Sequence, residues 1–258
     1  MKRSLLTGIL ALAAGAAGLM GQNKQPAPKS KAELETLQAM FSAQQANNFD
    51  GVIKAADELV TKFADTDFKE TALYMEADAY HMKKDDTKAQ IYAEQALQAN
   101  PKSYQASIML AEMIAKSTRE SDLDREEKLG KAEKYAKDAI DFSKDAAKPN
   151  PQIPDAQWDE FKKGIAARAH GAIGIGNLTR KKYDVAATEF KTAFENDPQP
   201  AYLAQQASAL QSGGKNDEAI ALCDKILADP QMHPAIKNVA TQVKAAAVKA
   251  GGKAPGGN

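Results

Sequence analysis

A single cysteine, Cys223, leaves the chain without an internal disulfide. The histidines are as sparse: His81, His170 and His233 lie in separate segments without the spacing of metal ligands, so no metal site is expected. Charge of one sign is also missing. Lys+Arg and Asp+Glu both number 34, and with no basic stripe either, the chain lacks what a phosphate backbone requires, so no nucleic-acid partner is expected. Alternating runs of β-branched residues are absent, which argues against a sheet. No His-Glu-x-x-His, cysteine pair or Walker sequence occurs. Gly171, Gly174 and Gly176 superficially suggest a phosphate loop, but their spacing is wrong and they follow helix-forming residues, whereas a dinucleotide site needs a strand there. Neither a cofactor nor a catalytic residue is expected, and the chain reads as a non-enzyme.

The long apolar run is confined to one end. Lys2 and Arg3 precede an uncharged, Ala- and Gly-rich run from Leu5 to Met20, followed by the polar Gln22-Asn23-Lys24-Gln25. This pattern predicts a secretory signal peptide over residues 1–21, hence an exported protein of the periplasm or extracellular space. The run is too short and too rich in glycine for a comfortable span, which takes about 20 apolar residues, so no stable membrane insertion is expected after cleavage. No cysteine follows it to carry a lipid. Loss of Lys2 and Arg3 leaves 32 basic residues against 34 acidic ones. Residues 22–30, with Pro26 and Pro28, read as a flexible lead.

What the sequence does hold is repetition. In Tyr183–Pro198, Ala186, Phe190, Ala193 and Phe194 fall on one helical face, and Asp197-Pro198 ends the helix because proline cannot continue it. A preceding helix over Ala169–Asn177 places Gly174 where the two helices cross, and only a small residue lets backbones approach there. The same register recurs. Gly174 is matched by Met40, Ala77, Ala111 and Ala207, Ala186 by Val52, Ala89, Ala132 and Ala219, and Ala193 by Leu59, Ala96, Ala139 and Ile226. Asn100-Pro101 and Asp229-Pro230 close two further units. Met40 and Val52 are bulkier than the pattern wants, so the first unit is expected to pack less closely.

This unit resembles the tetratricopeptide repeat (TPR), a helix pair of about 34 residues with small residues at the crossing, an aromatic in the second helix and a closing proline. The resemblance implies an all-α fold, a right-handed superhelical solenoid of about five TPR-like helix pairs with a C-terminal capping helix. Units 1 to 3 are placed within 31–147 and units 4 and 5 within 155–250. In unit 3, 21 residues separate Ala111 from Ala132, against 12 between Gly174 and Ala186. The surplus is a charged insert at 118–128, which reads as a docking protrusion or as a solvated extension of a helix capped by Ser121 followed by Asp124 and running to about Ser143. Pro149, Pro151 and Pro154 break the chain over 148–154, and this break is expected to bend or loosen the array. Asp155 then starts a long helix carrying Trp158 and Phe161. Ile236, Val239, Ala240, Val243 and Ala247 form the apolar stripe of a capping helix at 234–250, and residues 251–258 read as a disordered tail. Cys223 shares its register with Phe190, which points to a core position.

In the tetratricopeptide family the first helices of the units line a concave groove for an extended peptide or a partner helix. Carried over by register, that groove would be lined by Leu37, Phe41, Tyr74, Asp78, His81, Ile108 and Glu112, with Arg168, Ile175 and Ser208 in later units. Members that clamp a peptide carboxylate use Lys and Asn at positions held here by Leu37, Tyr74 and Asp78, so that clamp is absent. Aromatic residues at helical spacing are commonly packing residues, and Leu37, Phe41 and Tyr74 have that alternative reading. The resemblance implies a protein-interaction scaffold or adaptor of the cell envelope with a protein or peptide partner. The alternative is a soluble periplasmic carrier of a small apolar ligand.

Overall fold

Eleven α-helices and no strand make up the described residues, 26–253, of this computed structural model. The N-terminal run expected as a signal peptide and the last five residues of the tail lie outside them. The helices pair as the register requires: α1 (Lys31–Gln45) with α2 (Phe49–Lys62), and α3 (Lys69–Met82) with α4 (Asp86–Ala99). After them come α5 (Tyr104–Ser117), α6 (Arg125–Lys144), α7 (Asp155–Thr179), α8 (Tyr183–Asn196), α9 (Pro200–Ser212), α10 (Asn216–Ala228) and α11 (Pro234–Lys249). The expected extension at Asp155 and the first helix of the fourth unit are one continuous helix, α7, because no proline interrupts the sequence between them.

The chain divides into two compact units, one ending at Leu110 but taking in Lys144–Phe161, the other made of Ala111–Ser143 and the residues from Lys162 onward. The division therefore does not fall at the Pro-rich segment. That segment is tied down locally: Lys148 donates to the Ile153 carbonyl at 2.9 Å and pairs with Asp155, and the Trp158 indole donates to the Ala146 carbonyl at 3.3 Å. Trp158 stacks on Phe161, with centroids 5.0 Å apart, and Phe161 meets Tyr104 edge-on. Aromatic burial of this kind outweighs the stiffness of the prolines, so Lys144–Phe161 belongs to the first unit.

In the first unit α1, α2 and α3 close on Leu37, Met40, Phe41, Val52, Ala56, Leu59 and Met75. Met40 and Val52, the two bulky members of the small-residue register, are fully buried. Ser30 opens α1 by accepting from the Glu33 amide at 3.1 Å, and the Glu33 carboxylate reaches back to the Lys29 amide. Lys29 also pairs with Asp65 and Asp67, so the end of the expected flexible lead is anchored.

In the second unit Phe190 is completely buried, and α8, α9, α10 and α11 share a core of Ala186, Ala207, Ile220, Cys223, Ile226, Ala240, Val243 and Ala247. A Cβ on Gly174 would lie 2.7 Å from the Phe190 ring, so glycine there is what lets α7 approach α8. Three of the five residues in the stripe of α11 are buried, and this helix covers α9 and α10 as a cap. Cys223 is inaccessible, and burial pushes its thiol pKa up.

One turn joins the two helices in four of the units. Asn47, Lys84, Lys181 and Gly214 all have positive φ, and each stands five residues before its unit's Val52, Ala89, Ala186 or Ala219. In each case the next residue's amide bonds back to the preceding helix: Asn48 to Ala43, Asp85 to Tyr80, Lys182 to Asn177 and Lys215 to Leu210. This left-handed closure, with its bond across six residues, reverses the chain in the fewest steps and fixes the helix pair. The third unit lacks it, because residues 118–124 intervene before α6.

Candidate partner-binding site

The first helices carry the expected groove residues, and the structure sorts them by burial. Leu37, Phe41 and Ile108 are buried, at 4%, 7% and 1% exposure, and fill the space between helices. Their side chains pack the core and do not present a surface to a partner. Tyr74 and Asp78, one helical turn apart on α3, are half-buried, and Tyr74 lies against the cores on both sides of its helix. His81 is partly exposed and bonds through Nδ1 to Asp86 at 2.7 Å.

In the second unit two expected residues come together. Arg168 of α7 grips Glu112 of α5 with two hydrogen bonds, Nε to Oε1 at 3.0 Å and an outer nitrogen to Oε2 at 2.8 Å. This two-pronged geometry aligns both planes and is the strong form of the pair. Tyr202 of α9 belongs to the same neighbourhood, although the sequence did not single it out. Its hydroxyl pKa is pushed up to about 12, chiefly by burial and by the Glu112 carboxylate, against a smaller opposing effect of Arg168. The signal that could have found it is Gly171, since a Cβ there would lie 2.9 Å from the Tyr202 ring. Ile175 packs against the α8–α11 core, and the Ser208 hydroxyl turns back to the Ala204 carbonyl at 2.9 Å. Thus α5, α7 and α9, the first helices of three successive pairs, contribute Glu112, Arg168 and Tyr202 to one polar patch.

The charged insert is an ordered turn. Asp122 accepts from the Arg119 amide at 3.2 Å, the Arg125 guanidinium donates to the Glu120 carbonyl at 3.0 Å, and Lys181 pairs with Glu120 at 2.5 Å. Arg180, also missed in the sequence, bridges Glu126 and Glu133 at 3.0 and 3.2 Å, and its guanidinium holds the Glu126 carboxyl below the usual range. The insert is thereby fastened to the α7–α8 turn. Helix α6 starts at Arg125, directly after Asp124.

His170 is bonded to Glu189 at 2.7 Å, and among the described residues no group of His, Cys, Asp and Glu is placed to hold a metal. No helix of the described residues is long and apolar enough to cross a membrane.

The helix pairs, the four left-handed turns at one register and the small residues at the crossings define a repeat. The chain has a TPR-like helical fold. No model of a known protein family matches it, and no curated protein matches it in sequence. Among solved structures, a thermophilic TPR protein of Thermus thermophilus is 19% identical with a TM-score of 0.48, over 84% of this chain and 99% of that one. A likeness at that level places no residue and assigns no partner.

Proposed function

We propose that this chain is an exported, non-enzymatic scaffold or adaptor of the cell envelope that receives a peptide or partner helix on the faces of its first helices. One observation carries the binding reading: α5, α7 and α9 jointly contribute the Glu112–Arg168 pair and Tyr202, a polar patch with an aromatic member and no reactive partner. Stacked helix pairs offer such extended surfaces, and guanidinium, carboxylate and phenol groups together suit a polar peptide backbone and its charged side chains. In the first unit Tyr74 and Asp78 on α3 are the corresponding pair. Export rests on the N-terminal sequence, with Lys2 and Arg3 before the apolar run.

The test is site-specific photo-crosslinking in the native host with the probe at Tyr202 and, separately, at Tyr74, followed by mass spectrometry. One recurrent envelope protein at either position is the expected result. Adducts from a probe at Ser121 alone would move the binding surface to the insert. A small ligand retained in native mass spectrometry, with no protein adduct at any position, would replace the adaptor with a carrier.

A further inference from the structure

Glu76 stands where two other units bury an apolar side chain: it precedes Ala77 as Leu110 precedes Ala111 and Ile173 precedes Gly174, whereas the first and fifth units carry Ala39 and Gln206 there. Glu76 is buried too, at 0% exposure, and neither carboxylate oxygen has a hydrogen-bond partner. Desolvating a carboxylate without compensation is among the costliest defects a core can carry, and the group escapes it by holding its proton. Two glutamates near the starts of first helices, Glu33 buried and Glu70 half-buried, show the contrast. Glu33 accepts from the Thr66 hydroxyl at 2.6 Å, and Glu70 accepts from the Ser103 hydroxyl.

We infer that Glu76 makes the first unit pH-responsive: seated as a neutral acid among α2, α3 and α4, it loosens these helices when it ionises. The ionisable groups that face it oppose or barely favour its charge. From α2 comes Asp57, whose negative charge raises the pKa further after burial itself. From α4 comes the Tyr92 hydroxyl, close enough to favour the carboxylate slightly without forming a hydrogen bond of normal geometry. On α3 the Tyr80 ring stacks on Tyr92 at 5.3 Å, and Lys88 lies over the Tyr80 ring at 4.9 Å, occupied with that face.

The direction follows from linkage. Burial pushes the Glu76 pKa up to about 8, from 4.5 in the unfolded chain. Below 4.5 both states hold the proton and the neutral carboxyl is tolerated. Between 4.5 and about 8 the folded state retains a proton that the unfolded state has released, so stability falls as pH rises. Above about 8 the fall stops. Helix α3 also carries Tyr74 and Asp78, so any effect on partner capture rests on the function proposed above, whereas the loosening does not.

The decisive experiment compares urea unfolding of the full chain with that of Glu76→Gln and Glu76→Leu at pH 5, 6.5 and 8.5. The wild-type midpoint is expected to drop progressively, both variants to drop less because, among the described residues, only Glu70 still carries a raised carboxyl pKa there, and Glu76→Leu to exceed wild type at pH 8.5. Hydrogen exchange, corrected for intrinsic rates, should place the loss of protection in α2, α3 and α4. Parallel pH profiles for wild type and Glu76→Leu would overturn the inference, as would a loss of protection confined to α8–α11. If Glu76→Gln fails to fold, Glu76→Leu decides alone, since leucine fills the same register position at Leu110. A carboxyl resonance of Glu76 titrating at the ordinary value in the folded chain would also refute it.

Discussion

Glycines in these helices have opposite worth depending on what stands over them. At Gly174 an added Cβ would meet the Phe190 ring at 2.7 Å, and that ring is locked in the core. Alanine improves helix propensity by about 1 kcal/mol, but overpacking costs about 1–3 kcal/mol, so Gly174→Ala is expected to lower the urea midpoint. Gly130 on the exposed face of α6 has nothing within 4 Å, so Gly130→Ala should raise stability by about 1 kcal/mol in the same measurement. Phe190→Ala removes the ring itself and should cost about 3–5 kcal/mol. The sequence marked Gly174 and Phe190 correctly because both follow from helical period and size. At Glu76 the only sequence signal was a register shared with Leu110 and Ile173, and it was weak because a glutamate on an amphipathic helix ordinarily faces water; packing from two neighbouring helices is what closes that position.

Between elements, the recurrent left-handed turn and a pair of side-chain bonds set the register. Lys84 and Lys181 hold φ of 68° and 59° in turns where the fifth unit uses Gly214. A side chain there costs roughly 1–2 kcal/mol, so Lys84→Gly and Lys181→Gly should each stabilise the chain, read as a rise in thermal midpoint. Glu33–Thr66 and Glu70–Ser103 link the start of one first helix to the entry of the next, each across 33 residues. Burial pushes the Glu70 carboxyl pKa up while the Ser103 and Thr71 hydroxyls draw it down, so Ser103→Ala leaves a half-buried acceptor without its main partner. A double-mutant cycle on Glu70 and Ser103 should show a coupling of about 1–2 kcal/mol in urea unfolding. Turns are legible in the sequence at Asn47-Asn48 and Gly213-Gly214, whose residue types favour them, and at the charged Lys83–Asp86 stretch. The left-handed conformation of Lys84 and Lys181 is not, since lysine carries no such preference and the closure is imposed by the helices on either side. The break at 148–154 was legible as an end of helix, but its docking through Trp158, Phe161 and Tyr104 was not, because that contact joins residues more than 50 positions apart.

Across the whole molecule, α11 closes the core that ends the second unit. Ala240, Val243 and Ala247 cover Ile220 and Cys223, and the cysteine has no exposure in the intact chain. Truncation after Gln231 should therefore open Cys223 to a thiol reagent, with labelling in minutes where the intact chain resists, and the shortened protein should associate through the uncovered face. Equal labelling rates would show that α11 is not the seal. The capping role was visible in the sequence as an apolar stripe following the last repeat, and the buried cysteine as a shared register with Phe190. The partition into two units was not visible, because it cuts through α5 and α7, each of which is continuous in helical period.

The sequence by itself determined the helices, their pairing and their period, since these follow from spacing, proline and small residues within about 34 positions of one another. It also supplied the register that places residues on first helices. Which of those residues are buried was decided only in the tertiary structure: Leu37, Phe41 and Ile108 turn into the core, while Arg168 meets Glu112. The reason is physical. A helical period fixes the face on which a side chain stands, whereas its burial depends on the neighbour that covers that face, and here those neighbours come from elsewhere in the chain.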